Sequence, residues 1–202
     1  MAKSDKNEKK DLPSILRNLV FFIAVYLYFI GWIYEFYYYR NFGIPLSALD
    51  IPVYYFFIFS YSAVEFKIIW YVILIGILIL LVFIPRDAIR KWAIVFYMII
   101  LFPLSFYLAK SASDQYALKV RRGSAKTISF VLKGDASNRY PPEFLSANER
   151  GDLRFLTQTK DRFYVFLQPI DPDQPVLPVA SSYIVPERDV SLVTIELPDL
   201  PK

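Results

Sequence analysis

The chain contains no cysteine and no histidine. Without cysteine there is no disulfide framework and no thiolate chemistry. Without histidine the commonest general base and the commonest metal ligand are missing together, and the usual zinc site is excluded. Serines are plentiful, but no imidazole is available to activate one. There is no glycine-rich phosphate loop and no G-x-S-x-G elbow. The residues therefore assign no catalytic group, no cofactor-binding group and no metal ligand. Charge of one sign is also scarce: a net charge of +4 is too small, and too spread out, for a nucleic-acid binder.

Apolar side chains dominate what is present. They make up 55% of the 202 residues, and 18% are aromatic. They are not spread evenly. Residues 13–109 hold nearly all the long apolar runs, whereas 110–202 read like an ordinary soluble sequence. That asymmetry predicts a membrane-embedded region followed by one extramembrane domain, since a stretch of roughly 90 residues buries only a single small core.

Residues 1–12 form a short basic tail, in which Lys3, Lys6, Lys9 and Lys10, with Arg17 beyond, precede the first apolar run. A flank of this kind stays cytoplasmic. Leu19–Tyr39 then supplies the roughly 20 residues needed to cross a bilayer and reads as an uncleaved anchor. Trp32, Tyr34, Tyr37, Tyr38 and Tyr39 crowd its second end, where amphipathic rings prefer the headgroup level. Gly43 and Pro45 break the helix, and the Ser47/Asp50 spacing with Pro52 places a new helix start between Ser47 and Pro52.

The stretch Ile51–Ile84 would rise about 50 Å as one helix, too long for a hydrocarbon core of about 30 Å. Glu65 and Lys67 divide it into a short embedded piece, 52–64, which is re-entrant or a fourth crossing, and a span at 66–84. A polar turn over 85–91 leads to a last span at 92–109, with a kink at Pro103. The fold class this predicts is an α-helical transmembrane bundle of three full spans plus one short segment, followed by a small antiparallel all-β domain over 110–202. Thr127–Lys133, Leu153–Gln158, Arg162–Gln168, Ser182–Val185 and Val190–Leu197 read as strands, with a hairpin at 159–161 and no convincing helix. A compact barrel or sandwich follows.

The segments GDLRFLTQTKDRFYVF (151–166) and SYIVPERDVSLV (182–193) resemble the small β-domains that end uncharacterised bacterial multi-pass inner-membrane proteins. GWIYEFYYYRNFGIPLSALDI (31–51) resembles first-span and loop sequences of similar proteins. The resemblance implies a bacterial cytoplasmic-membrane setting and carries no functional residue across.

Few residues invite a functional reading. Glu35 is an ionisable group inside an apolar run. It either reaches headgroups near the tyrosine-rich end or pairs with Arg40 or Lys67 in a polar vestibule. Glu65 and Lys67 either mark a surface turn or line the tip of a re-entrant segment. Lys119, Arg121, Arg122 and Lys126 form a basic cluster past the last span, suited to anionic lipid or to an anionic ligand or partner. Asp152, Asp161, Asp171, Asp173, Glu187 and Asp189 all fall in expected turns, and their spacing matches no calcium loop. The positive-inside count favours a cytoplasmic β-domain. The partners implied are a lipid bilayer and a second copy or another protein. The function implied is a non-enzymatic membrane scaffold, sensor or accessory subunit, such as an effector of a bacterial stress or phage-defence system. A small oligomeric channel or transporter, thinly lined by Asn18, Glu35, Ser60, Ser62 and Ser105, is the alternative.

Overall fold

The structure, a computed structural model, describes residues 12–65, 71, 74–78, 87–167 and 181–196. Helix α1 (Leu12–Arg40) carries Pro13 in its first turn, where a missing N–H costs nothing, and Arg40 in its last turn, where a cation answers the carbonyl end of the dipole. Gly43, at a φ of 68°, takes the left-handed position that ends the helix, and its N–H bonds the Arg40 carbonyl at 3.0 Å. A 3-10 turn over Leu46–Ala48 leads to α2 (Val53–Glu65), which starts one residue after Pro52. Residues 74–78 are helical, and α3 (Asp87–Lys119) runs for 33 residues before a widened turn over Val120–Ser124. Pro103 lies inside α3, and the Ser105 hydroxyl donates to the Leu101 carbonyl at 2.7 Å, a local bond beside the amide that proline lacks.

Helices α1 and α3 lie side by side and point the same way. Phe29 stacks on Phe102 at 4.4 Å, Tyr37 meets Phe106 at 5.7 Å, and Asn41 donates to Asp114 at 2.9 Å, so the partners advance together along both chains. Helix α2 crosses α1 at Gly31, where the backbones nearly touch: a methyl carbon placed there would lie 2.6 Å from the carbonyl carbon of Phe56. The three helices share a core that includes Ile30, Ile33, Ala63, Leu101 and Ala112.

The C-terminal part is one five-stranded antiparallel sheet in the order β4-β3-β2-β1-β5. Its strands are β1 (Thr127–Leu132), β2 (Leu153–Gln158), β3 (Arg162–Leu167), β4 (Ser182–Pro186) and β5 (Val190–Glu196). The 159–161 hairpin is present, closed by the Thr159 N–H on the Arg162 carbonyl at 2.9 Å. Among the described residues the sheet neither closes into a barrel nor pairs into a sandwich. Its core face is covered by a helix, α4 (Pro142–Arg150), which buries Phe144 and Ala147 and is capped by Gly151 at a φ of 73°. Asn148 fastens α4 to β1 with two bonds of 2.8 Å, one to the amide and one to the carbonyl of Phe130.

The three-span bundle expected from the sequence is not what the described residues form. Among them a single stretch, Val95–Gly123 within α3 and its terminal turn, is long and apolar enough to cross a membrane, and it is partly buried inside the protein. The 13 described residues of α2 rise only about 20 Å. The expected span at 66–84 lies largely outside the described residues, and α3 continues well past Ala109 into the head. The multi-pass placement in a bacterial inner membrane, with a cytoplasmic N-terminus, falls with the bundle, because one qualifying helix does not supply repeated crossings. Counting apolar residues overestimated the spans. Part of that apolar surface is packed against other helices and against the sheet.

Candidate functional site

The helical body and the sheet are joined by an aromatic seam. Phe42, just after α1, sits 4.9 Å from Phe166 of β3, ring centre to ring centre. The Tyr164 hydroxyl donates to the Ala48 carbonyl at 2.7 Å, and Ser182 donates to the Phe42 carbonyl. Tyr39, Ile44, Leu49, Ala117 and Val120 complete this buried cluster. Connector, α3 terminus and sheet thus form a continuous packed unit.

Beside the seam lies a cavity of about 580 Å³. Helix α1 contributes Tyr34, Glu35, Tyr38 and Tyr39, α2 contributes Phe59 and Ser62, α3 contributes Ala112 and Tyr116, and β2 contributes Leu156 and Thr157. Its volume falls in the range of roughly 300–1,000 Å³ usual for small-molecule sites. The rings are set against one another: Tyr34 stacks near Tyr38 at 6.4 Å, Tyr38 meets Tyr39 at 5.1 Å, and Tyr116 tilts over Tyr38 at 5.6 Å. The helical repeat brings this about, since Tyr34 and Tyr38, and Glu35 and Tyr39, are four residues apart on α1. A second hollow of about 160 Å³ adjoins it, sharing Tyr39, Phe59 and Thr157.

Glu35 is the only carboxyl among the described residues of that lining. Its side chain is 1% exposed, and its Oε2 has no hydrogen-bond partner. None of the described cavity residues is a lysine or arginine. Arg40 and Lys110 sit 5.9 and 5.2 Å from the centre of the Tyr37 ring, which is not among the described lining residues. An unsatisfied buried acceptor costs about 1–3 kcal/mol, and more when charged. The fold carries that cost at the one carboxyl of its cavity.

The residues singled out in the sequence separate. Glu35 and Arg40 are on one helix, but no ion pair joins them among the described residues. Glu65 is the last residue of α2, and Lys67 lies outside the described residues, so the suggested pairing of Glu35 with Lys67 does too. The basic cluster divides, with Arg121 buried and Lys119, Arg122 and Lys126 exposed. Ser60 and Ser105 are buried and donate to the carbonyls of Phe57 and Leu101, both at 2.7 Å, while Ser62 lines the cavity. Among the turn carboxylates, Asp189 is structural: it accepts from Arg139 at 2.8 Å and from the Tyr140 hydroxyl at 3.1 Å. Burial, helped by that carboxylate, pushes the Tyr140 phenol up to about 12. Asp171 and Asp173 lie outside the described residues. Among the described residues no group of acidic side chains is arranged to hold a metal ion.

The cavity residues other than Glu35 and Ser62 were not read as a site in the sequence. Tyr34, Tyr38 and Tyr39 read in the sequence as part of an interfacial girdle, and nothing there connects Tyr116 or Thr157 to them.

No family model, no curated protein and no solved structure matches this chain. The cavity and the surfaces around it are accordingly the basis for any functional reading.

Proposed function

We propose that this chain is a non-enzymatic, lipid-associated sensor or scaffold, in which acyl chains cover the outside of the helices and the junction cavity takes a ligand. The observation that supports it is the distribution of side chains in the helical body. Phe21 on α1, Tyr61 on α2, and Trp92 and Phe96 on α3 are 65–77% exposed, whereas the polar Glu35, Ser60, Ser105 and Ser113 are buried. Water-facing helices show the opposite arrangement. Monomeric proteins rarely leave large contiguous apolar surfaces uncovered. The reading concerns what covers these faces, not a number of crossings.

Two features favour lipid as the cover. Tyrosines gather near the head on α1 and on the facing end of α3, at Tyr37, Tyr38 and Tyr116, as rings do at a headgroup layer. The exposed Lys119, Arg122 and Lys126 follow at the same end, where anionic headgroups would meet them. A second copy covering part of the apolar surface is compatible with this arrangement. The absence of histidine and cysteine supports a non-enzymatic role.

Flotation of the purified full chain with liposomes on a density gradient tests the reading. The expected result is that the chain rises with the vesicles and stays with them in high salt, since apolar burial is not screened. A chain that remains at the bottom, folded and monomeric without lipid or detergent, overturns it.

A further inference from the structure

We infer that the junction cavity binds a compact organic ammonium group, held against the tyrosine faces and counterbalanced by Glu35. This rests on the reading of that cavity as the ligand site of a sensor, and it names the ligand class. The walls supply what such a cation needs and little that other ligands need. Tyr34, Tyr38, Tyr39 and Tyr116 present aromatic surface, and ring faces carry the negative end of the aromatic quadrupole. Glu35 supplies a buried carboxyl with one oxygen unpartnered, 1% exposed to solvent, whose ionised form a bound cation would favour.

Anionic ligands are disfavoured by the same lining, which among the described residues contains no lysine, arginine or other cationic side chain. A purely apolar ligand would leave Glu35 unsatisfied. A metal ion would need several oxygen ligands, and among the described residues the lining offers only one carboxyl group. An alkylammonium group is large, weakly hydrated and singly charged, so it matches rings plus one carboxylate. The cavity, at about 580 Å³, has room for such a group and the short chain that carries it. It opens beside the seam that joins α1 and α3 to β2 and β3, so an occupant would touch both the helices and the sheet. The cation can arrive as a free small molecule or as the headgroup of a zwitterionic lipid.

The test uses the full chain in maltoside micelles, whose headgroups carry no amine, with choline as probe and its uncharged tert-butyl analogue as control. Choline should raise the thermal midpoint saturably and the analogue should not. Glu35→Gln should weaken choline binding by at least about tenfold. Tyr116→Leu, at a ring that is 47% exposed and therefore tolerant of change, should weaken it too. In a second arm the chain is placed in nanodiscs of phosphatidylcholine or of phosphatidylglycerol. A stabilisation by phosphatidylcholine that Glu35→Gln removes assigns the cation to lipid, and a response to free choline assigns it to a soluble ligand. Either result supports the proposal. It is overturned if neither arm responds, if the uncharged analogue acts as well as choline, or if both variants bind unchanged. Flotation does not depend on Glu35, so Glu35→Gln should still float. A chain that binds choline without floating would refute lipid association and leave this site standing.

Discussion

The tight backbone crossing of α1 and α2 makes the substitution Gly31→Ala informative, because two effects of known size oppose each other there. In an isolated helix, replacing a mid-helix glycine with alanine gains about 0.8–1 kcal/mol from reduced backbone entropy loss. In this fold the new methyl carbon would lie 2.6 Å from the Phe56 carbonyl carbon and 3.1 Å from its Cα, inside the carbonyl group of the facing helix. Carbon atoms settle at about 3.5–4.0 Å and the Phe56 carbonyl oxygen lies nearer still, so α2 must move away by more than about 1 Å. No side-chain rotation can relieve the clash, since the obstacle is backbone. The shift would loosen Phe56, which is 7% exposed and meets the Tyr28 ring at 5.3 Å, and would disturb the packing around Ala63. Overpacking of this kind costs about 1–3 kcal/mol or more, which outweighs the helix-propensity gain. The thermal midpoint of the full chain in lipid or detergent should fall by roughly 2–8 °C. Gly76→Ala is the control, because Gly76 is helical and has nothing within 4 Å of its missing methyl. It should be neutral or raise the midpoint by a few degrees. If Gly31→Ala were as stabilising as Gly76→Ala, the close crossing of α1 and α2 would be refuted.

Other perturbations probe the head and the seam. Asn148→Ala removes both bonds that hold α4 to Phe130 and should destabilise the head by about 1–3 kcal/mol, read by denaturant unfolding. Asn41→Ala and Asp114→Ala should be non-additive in a double-mutant cycle, with a coupling of about 0.5–3 kcal/mol, because they share the bond between α1 and α3. A cycle that closes to zero would show that this bond does not form. Tyr140 contributes to an alkaline limit. Its phenol is held up to about 12 by burial and by Asp189, so below pH 10 the folded and unfolded states are both protonated and the stabilisation is intact. Between pH 10 and 12 the unfolded state ionises first, and stability should decline. Tyr140→Phe should flatten that decline; an unchanged slope would mean the phenol is not buried as described.

Local patterns in the sequence were good guides to the head. The alternation of Ile128, Phe130 and Leu132 marks β1, and all five expected strands are present within a residue or two of the expected bounds. Helix α4 was missed because PEFLSANER is short and polar. Its signals are subtle: Pro142 at the start, Phe144 and Ala147 three apart on the buried face, and Gly151 at the cap. Apolar length misled in the helical body. It measures how much surface avoids water, but not whether lipid, another helix or the sheet covers it. The cavity was half legible: Glu35 stood out as a charge in an apolar run. Its tyrosine neighbours become a site only when β2 brings Leu156 and Thr157 against α1, and when Tyr164 reaches Ala48 from far along the chain. Pairings of that range leave no local trace in sequence.

Lipid contact on the outer faces of the helices is the central claim of the proposed function, and tryptophan quenching measures it directly. Trp32 and Trp92 are 38% and 77% exposed on α1 and α3, and replacing Trp70 with phenylalanine leaves these two as the only indoles. In vesicles containing lipids brominated along the acyl chain, their fluorescence should be strongly quenched while aqueous acrylamide has little effect. Quenching by acrylamide with none from the brominated lipid would place these faces in water and contradict the account.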